Sequence, residues 1–226
     1  MLALVGPKSR DVLAKLTDAP LDNENFRWRS GQDIEISGMK VRALRINYVG
    51  ELGWELHPKM EDLSALYDAV WGAGQDQGMV DFGLYALNSL RMEKAYRGWG
   101  TELTNEVTLL EADMARFFSR TKADFVGKFA TEEKADNTLK LVYFEVNAKD
   151  SDVRGGEPIF IDDVCIGVTT SGGYGYAVEK SLGFGYVSPE HAAPGSAFQV
   201  GLLDARYDAR VLEDPAYDAT NNRLAS

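Results

Sequence analysis

Cysteine is nearly missing from this 226-residue chain, in which Cys165 stands alone. An intrachain disulfide, an iron–sulfur cluster and a Cys-rich zinc site are excluded together. Cys165 lies in an apolar alternating run and is expected to be a buried structural thiol. Histidine is also scarce: His57 and His191 are the only two, far apart in sequence. A metal site would have to rest on carboxylates, and no acidic pair has ligand-like spacing, so no metal ligand is predicted. No stretch approaches the roughly 18 consecutive apolar residues of a membrane span. The N-terminal Met1-Leu-Ala-Leu-Val-Gly-Pro7 lacks the basic region and long apolar core of a signal peptide, so a cytoplasmic protein is expected. Basic residues are outnumbered by acidic ones, 24 to 35, for a net charge of −11. The acidic residues are spread along the chain, whereas phosphate surfaces need clustered Lys and Arg. Neither nucleic acid nor a membrane is therefore an expected partner, although a local basic pocket for an anionic ligand remains compatible.

Familiar catalytic signatures are missing as well. The chain has no Gly-x-x-x-x-Gly-Lys-Ser/Thr, no Gly-x-Ser-x-Gly and no His-Glu-x-x-His. Ser171-Gly-Gly-Tyr-Gly-Tyr176 is Gly-rich, but Val178 stands where a dinucleotide fingerprint needs its last glycine, and no helix follows. A β-turn or rim loop is expected there. His57 could act as a base, but beside Pro58 at a hairpin end the plainer reading is an exposed side chain. No nucleophile–base pair is recognisable and no catalytic residue is predicted. The residues point to a binding site more than to a complete active site.

What is present is an ordinary globular composition, 45% hydrophobic and 26% charged, long enough for a sizeable core. Residues 2–5 read as the end of a buried strand. Gly6-Pro7 then opens a helix striped by Val12, Leu13 and Leu16. Such a beginning suggests that a neighbouring strand lies outside the chain. Residues 31–37 alternate weakly, and residues 39–48 read as a strand with Val41, Ala43 and Leu44 on its buried side. Leu63, Leu66, Tyr67, Val70 and Trp71 recur at helical spacing until Gly72 and Gly74. A second helix is predicted over 84–95, with Leu84, Leu87, Leu90 and Arg91 sharing a face, and a short one over 109–118. Residues 131–137 are charged and turn-prone. Beyond them, short strands are predicted at 139–146, 158–161, 164–170, 182–187, 197–203 and 207–212. Asp162-Asp163 and Asp204-Ala205-Arg206 provide hairpin turns. The expected fold class is α+β: an α/β sandwich-like domain over 1–137, followed by a small all-β barrel or jelly-roll-like domain over 138–226.

Between two of the predicted strands lies Asn47-Tyr-Val-Gly-Glu-Leu-Gly-Trp-Glu-Leu56. Gly50 and Gly53 can take the positive-φ positions of a four-residue hairpin connection. Such a turn would bring the Tyr48 hydroxyl near the Glu55 carboxylate. A phenol and a carboxylate at an apolar pocket suit a flat heterocycle with adjacent N–H donors, because a carboxylate accepts two parallel hydrogen bonds. The plain alternative is an ordinary hairpin with a surface acid.

Several segments together carry a resemblance. They are Gly6-Pro-Lys-Ser-Arg-Asp-Val-Leu13, Tyr48-Val-Gly-Glu-Leu-Gly-Trp-Glu-Leu56, Ser89-Leu-Arg-Met-Glu-Lys94, Asp124-Phe-Val-Gly-Lys128, Gly167-Val-Thr-Thr-Ser-Gly172 and Lys180-Ser-Leu-Gly-Phe-Gly-Tyr-Val187. In this order the chain resembles the folate-binding aminomethyltransferase family that includes the glycine cleavage T-protein. Ala95-Tyr-Arg-Gly-Trp-Gly100 and Asn222-Arg-Leu224 are most similar to the C-terminal folate region of dimethylglycine and sarcosine dehydrogenases. The resemblance implies a cloverleaf of domains around a tetrahydrofolate channel. Glu55 would grip the pterin edge with Tyr48 as its partner, Tyr96 would line the folate path, and Arg223 is a further candidate for the folate tail. T-proteins carry an arginine where this chain has Leu87, which favours the dehydrogenase branch. The family's catalytic aspartate lies upstream of the first residue here, and FAD is expected only on a missing or partner portion. The implied function is the tetrahydrofolate-binding part of a methylamine-demethylating enzyme that forms 5,10-methylenetetrahydrofolate. Its expected partners are folate and a flavin-containing dehydrogenase portion or subunit. The alternatives are a non-catalytic folate-binding or regulatory protein and a glycine-cleavage-type aminomethyltransferase.

Overall fold

The computed structural model describes residues 1–134 and 139–226. The chain divides into two compact units, Met1–Leu87 with Asp218–Ser226, and Asn88–Tyr217. The expected boundary at residue 137 lies outside the described residues.

The first unit is built on a four-stranded antiparallel sheet. Its strands are β1 (Leu2–Val5), β2 (Gly31–Ile36), β3 (Met39–Leu44) and β4 (Gly53–Pro58), in the order β1-β4-β3-β2. Helices α1 (Ser9–Ala14) and α2 (Leu63–Gly74) pack against it. Alternate residues of a strand face opposite sides, and here one side is apolar. Ile34, Ile36, Val41, Ala43, Trp54 and Leu56 pack with Val12 and Leu13 of α1 and Leu66 and Val70 of α2. Phe26 meets Trp54 edge to face at 6.0 Å. The predicted strand over 39–48 stops at Leu44, and Leu44 is half-buried rather than in the core. The cause is Arg45, whose buried guanidinium Nη1 donates to the Phe26 carbonyl at 2.6 Å and whose Nη2 reaches the Ser226 carbonyl at 2.7 Å. Such a demand pulls the chain off the sheet.

Helix α3 (Leu84–Glu93) ends before the predicted 95. Leu84 is exposed rather than on a buried face, while Ser89, Arg91, Met92 and Glu93 are buried. The helix predicted over 109–118 is a set of turns closed by a 3-10 turn, Ala115–Phe117. Thr108 and Glu111 do cap one another reciprocally, Thr108 N to Glu111 Oε2 at 2.7 Å and Glu111 N to Thr108 Oγ1 at 3.2 Å. Asp113, at φ 55°, then stops the first turn from propagating. Thr131 to Glu133 close a short helix, α4 (Lys128–Glu133), and Lys134 turns the chain, while the rest of the charged run lies outside the described residues.

The rest of the second unit is a closed antiparallel barrel. Its strands are β5 (Lys140–Val146), β6 (Pro158–Ile161), β7 (Val164–Gly175), β8 (Lys180–Val187), β9 (Ala197–Leu202) and β10 (Ala205–Val211), closed in the order β10-β5-β8-β7-β6-β9. Closure removes the unpaired edges of a sheet, and the expected α+β class with a small barrel is the one observed. Val142, Phe144, Ile159, Phe198 and Val200 fill the interior, with Phe144 and Phe198 5.2 Å apart. Leu141, Tyr143, Phe184 and Tyr186 point the other way and cluster with Met92 and Ala95 at the end of α3. Two expectations fail here. Cys165 is exposed, because it sits at the tip of the β6–β7 hairpin, where the strand has only begun. Ser171 to Gly175 continue β7 instead of forming a loop. There Gly172 lies so close to Val153 and the Leu182 carbonyl that a Cβ would come within 2.4 and 2.8 Å of them.

After the barrel the chain returns to the first unit and ends in α5 (Asn222–Ala225).

Candidate functional site

The connection between β3 and β4 spans eight residues, 45–52, rather than four. Asn47 organises it: its Oδ1 accepts from the amides of Val49 and Gly50, both at 3.0 Å, and its Nδ2 donates to the Glu51 carbonyl at 2.6 Å. Such an Asx arrangement replaces the backbone pairing of a tight turn. Gly50 takes the expected positive φ of 80°, but Gly53 does not. Gly53 belongs to β4, and a Cβ there would come within 2.6 Å of the Leu4 carbonyl oxygen. Close approach of β1 is what requires glycine at that position.

Glu55 lies mid-strand in β4, opposite Ala3 of β1 and Leu44 of β3. Trp54 and Leu56 point into the core, so Glu55 and His57 share the opposite face. The His57 Nε2 is 3.3 Å from Glu55 Oε2, with side-chain exposures of 40% for His57 and 23% for Glu55. His57 is exposed, as the plainer reading had it, but it is also the partner of the candidate carboxylate. That pairing was accessible from the i, i+2 spacing once the strand was assigned. Tyr48 is half-buried in the connection itself, and Arg223 Nη1 of α5 lies 3.8 Å from Glu51 Oε1. Tyr48, Glu55 and Arg223 therefore fall in the first unit.

Tyr96 falls in the second unit, just past α3, and is half-buried. Ala95 before it turns the chain with φ 52°. The Tyr96 amide donates to the Arg91 carbonyl at 2.9 Å, and the Tyr96 carbonyl accepts from Arg91 Nη1 at 3.1 Å. Beneath the loop, Arg91 and Glu102 form a buried ion pair at 3.1 Å. Burial alone would raise the Glu102 carboxyl, but hydrogen bonds from Ser171, Thr170 and the Gly98 amide, with the Arg91 charge, hold it below its ordinary 4.5. In the sequence, Ser89 to Lys94 stands out only as a motif. The structure shows it as an anchor: Ser89 Oγ donates to the Tyr174 carbonyl at 2.6 Å, and Glu93 Oε1 accepts from the Ala177 amide at 2.6 Å.

Among the described residues no group of three or more His, Cys, Asp or Glu side chains could hold a metal ion. Likewise, no helix among them is long and apolar enough to cross a membrane. An apolar groove of about 440 Å³ runs beside β1, lined in part by Leu2, Trp71, Val80, Phe82 and Leu84.

Two domains of one kind of protein account for this arrangement. Residues 1–122 match the GCVT N-terminal domain, and residues 140–218 match the glycine cleavage T-protein C-terminal barrel domain. The chain belongs to the glycine cleavage T-protein family. It is 41% identical over 99% of its length to mitochondrial dimethylglycine dehydrogenase of Homo sapiens, 26% of which it covers. It is 32% identical to mitochondrial sarcosine dehydrogenase of Mus musculus, over 99% of this chain and 25% of that protein. An aminomethyltransferase of Natranaerobius thermophilus is 31% identical over 96% of this chain and 60% of its own length. The chain thus spans about a quarter of the dehydrogenases it matches. The crystal structure of the glycine cleavage system aminomethyltransferase T from Bartonella henselae superimposes with a TM-score of 0.81 at 25% identity, covering 95% of this chain and 58% of that one.

Proposed function

We propose that the chain is the tetrahydrofolate-binding part of a methylamine-demethylating enzyme of the dimethylglycine or sarcosine type. The observation that carries this reading is the match along 99% of the chain to dimethylglycine dehydrogenase. The partly buried Glu55 carboxylate supports it, because its two oxygens can accept parallel hydrogen bonds from the N–H edge of a pterin. Tyr48 helps orient the heterocycle, and Tyr96 lines the folate path. A flavin-containing portion or partner supplies the oxidation of an N-methyl group to an iminium. The folate-binding part acts by position, holding the nucleophilic nitrogens where the one-carbon unit arrives, so that 5,10-methylenetetrahydrofolate forms. We also place the domain junction near residue 137, a position consistent with the gap between the two family matches.

The test is Glu55→Ala. Charge-assisted hydrogen bonds of this kind contribute about 2 kcal/mol, so tetrahydrofolate affinity is expected to fall roughly 30-fold. An unchanged affinity would contradict the assignment. Adding the chain to a demethylating flavoprotein and measuring 5,10-methylenetetrahydrofolate tells transfer from simple binding, since a binder alone adds nothing to the rate.

A further inference from the structure

We infer that Arg91 and Glu102 are positioning residues for Tyr96, fixing the main chain of residues 96–98 so that the aromatic ring is presented in one place. The inference rests on the reading of Tyr96 as part of the folate path.

The geometry is unusually complete. A guanidinium has five N–H donors, and Arg91 directs five contacts in the described structure. Nε and Nη2 both reach Asn88 Oδ1, at 3.0 and 2.8 Å. Nη2 also reaches Ser171 Oγ at 2.8 Å, and Nη1 is shared between the Tyr96 carbonyl and Glu102 Oε2, both at 3.1 Å. Glu102 gathers the loop from the other side. Its Oε2 accepts from the Gly98 amide at 2.7 Å and Thr101 Oγ1 at 2.9 Å. Its Oε1 accepts from Thr170 Oγ1 and Ser171 Oγ, both at 2.6 Å, which ties the loop to β7.

Energetics say what this pair is for. Burying two charges costs several kcal/mol per ion, and an apolar pair of equal volume often stabilises a fold as well or better. What an apolar pair cannot do is donate to the carbonyl of residue 96 while accepting from the amide of residue 98. The specific contribution of Arg91 and Glu102 is therefore directional. Lysine at 91 would keep the charge but not the planar fork that reaches Asn88, Ser171, Tyr96 and Glu102 together.

The experiment uses the full chain with Glu102→Gln and Arg91→Lys. Amide hydrogen exchange is expected to accelerate at least about tenfold over residues 96–103, with β5 and β8 unchanged. Tetrahydrofolate affinity should fall about tenfold in the otherwise unaltered chain, and not further when Tyr96→Ala is already present. Thr170→Val removes a single donor to Glu102 and is the milder variant should the others fail to fold; it should speed the same amides about threefold. Unchanged loop exchange in folded variants overturns the inference, as do affinity losses that add in full to that of Tyr96→Ala. Accelerated loop exchange in a protein that never binds tetrahydrofolate would support the anchoring and defeat the folate reading instead.

Discussion

The backbone of β1 passes so close to Gly53 of β4 that no side chain fits there. Two glycines three residues apart suggest two positive-φ turn positions, and Gly50 has one. Gly53 is needed because β1, fifty residues earlier, passes directly against it. Gly53→Ala would place a methyl group 2.6 Å from the Leu4 carbonyl oxygen and 2.8 Å from the Val5 Cα. Backbone cannot yield cheaply, so the substitution is expected to cost about 2 kcal/mol, read from urea denaturation midpoints. A loss below about 0.5 kcal/mol would show that β1 is not held there. Cys165 likewise departs from its local pattern: its apolar alternating surroundings suggested burial although hairpin tips project into solvent. Cys165 is expected to react with a thiol reagent at one equivalent in the native protein, without the lag that an unfolding step imposes. Tyr48 and Glu55 were suggested by the glycine-flanked connection itself and strengthened by the family resemblance, which alone pointed to Tyr96. Their local partners, His57 and Arg91, emerged only when strand register and helix ends were in hand.

Among elements, the barrel was the most legible, because short alternating strands separated by Asp-rich turns have few other solutions. The missed elements were those where a side chain outweighs a local pattern. Arg45 ends β3 early, and Asp113 halts a helix that Thr108 and Glu111 had begun to cap. At the junction of α3 with β7, buried polar groups do the packing that an apolar stripe was expected to do. This makes a pH prediction. Glu102, buried but richly hydrogen-bonded, keeps its carboxyl below 4.5 in the folded state. The unfolded chain then takes up that proton first, so the contribution of Glu102 to stability is complete above about 4.5 and is lost as pH falls through the lower folded value. In urea unfolding, the wild type should exceed Glu102→Gln in stability at pH 7, and the gap should narrow toward pH 3. A gap that stays constant with pH would contradict the assignment of charge to Glu102.

For the whole molecule, the order of motifs was worth more than any one of them. Hairpin, helix-end and barrel-strand motifs each admit a plain structural reading, yet their sequence along the chain matches a two-domain family over nearly its full length. The two compact units do not follow chain order: Asn88 to Glu93 and the turns after it pack on the barrel, and the last nine residues return to the first unit. Composition reads chain order and cannot see such a return. The expectation of a cytoplasmic protein rested on the N-terminal residues alone, while the dehydrogenases of human and mouse that this chain resembles are mitochondrial.

Whether this chain binds folate is decided by calorimetric titration of the purified protein with tetrahydrofolate. One saturable site per chain is expected, weakened roughly 30-fold by Glu55→Ala. No binding by a cooperatively folded wild-type protein would contradict it.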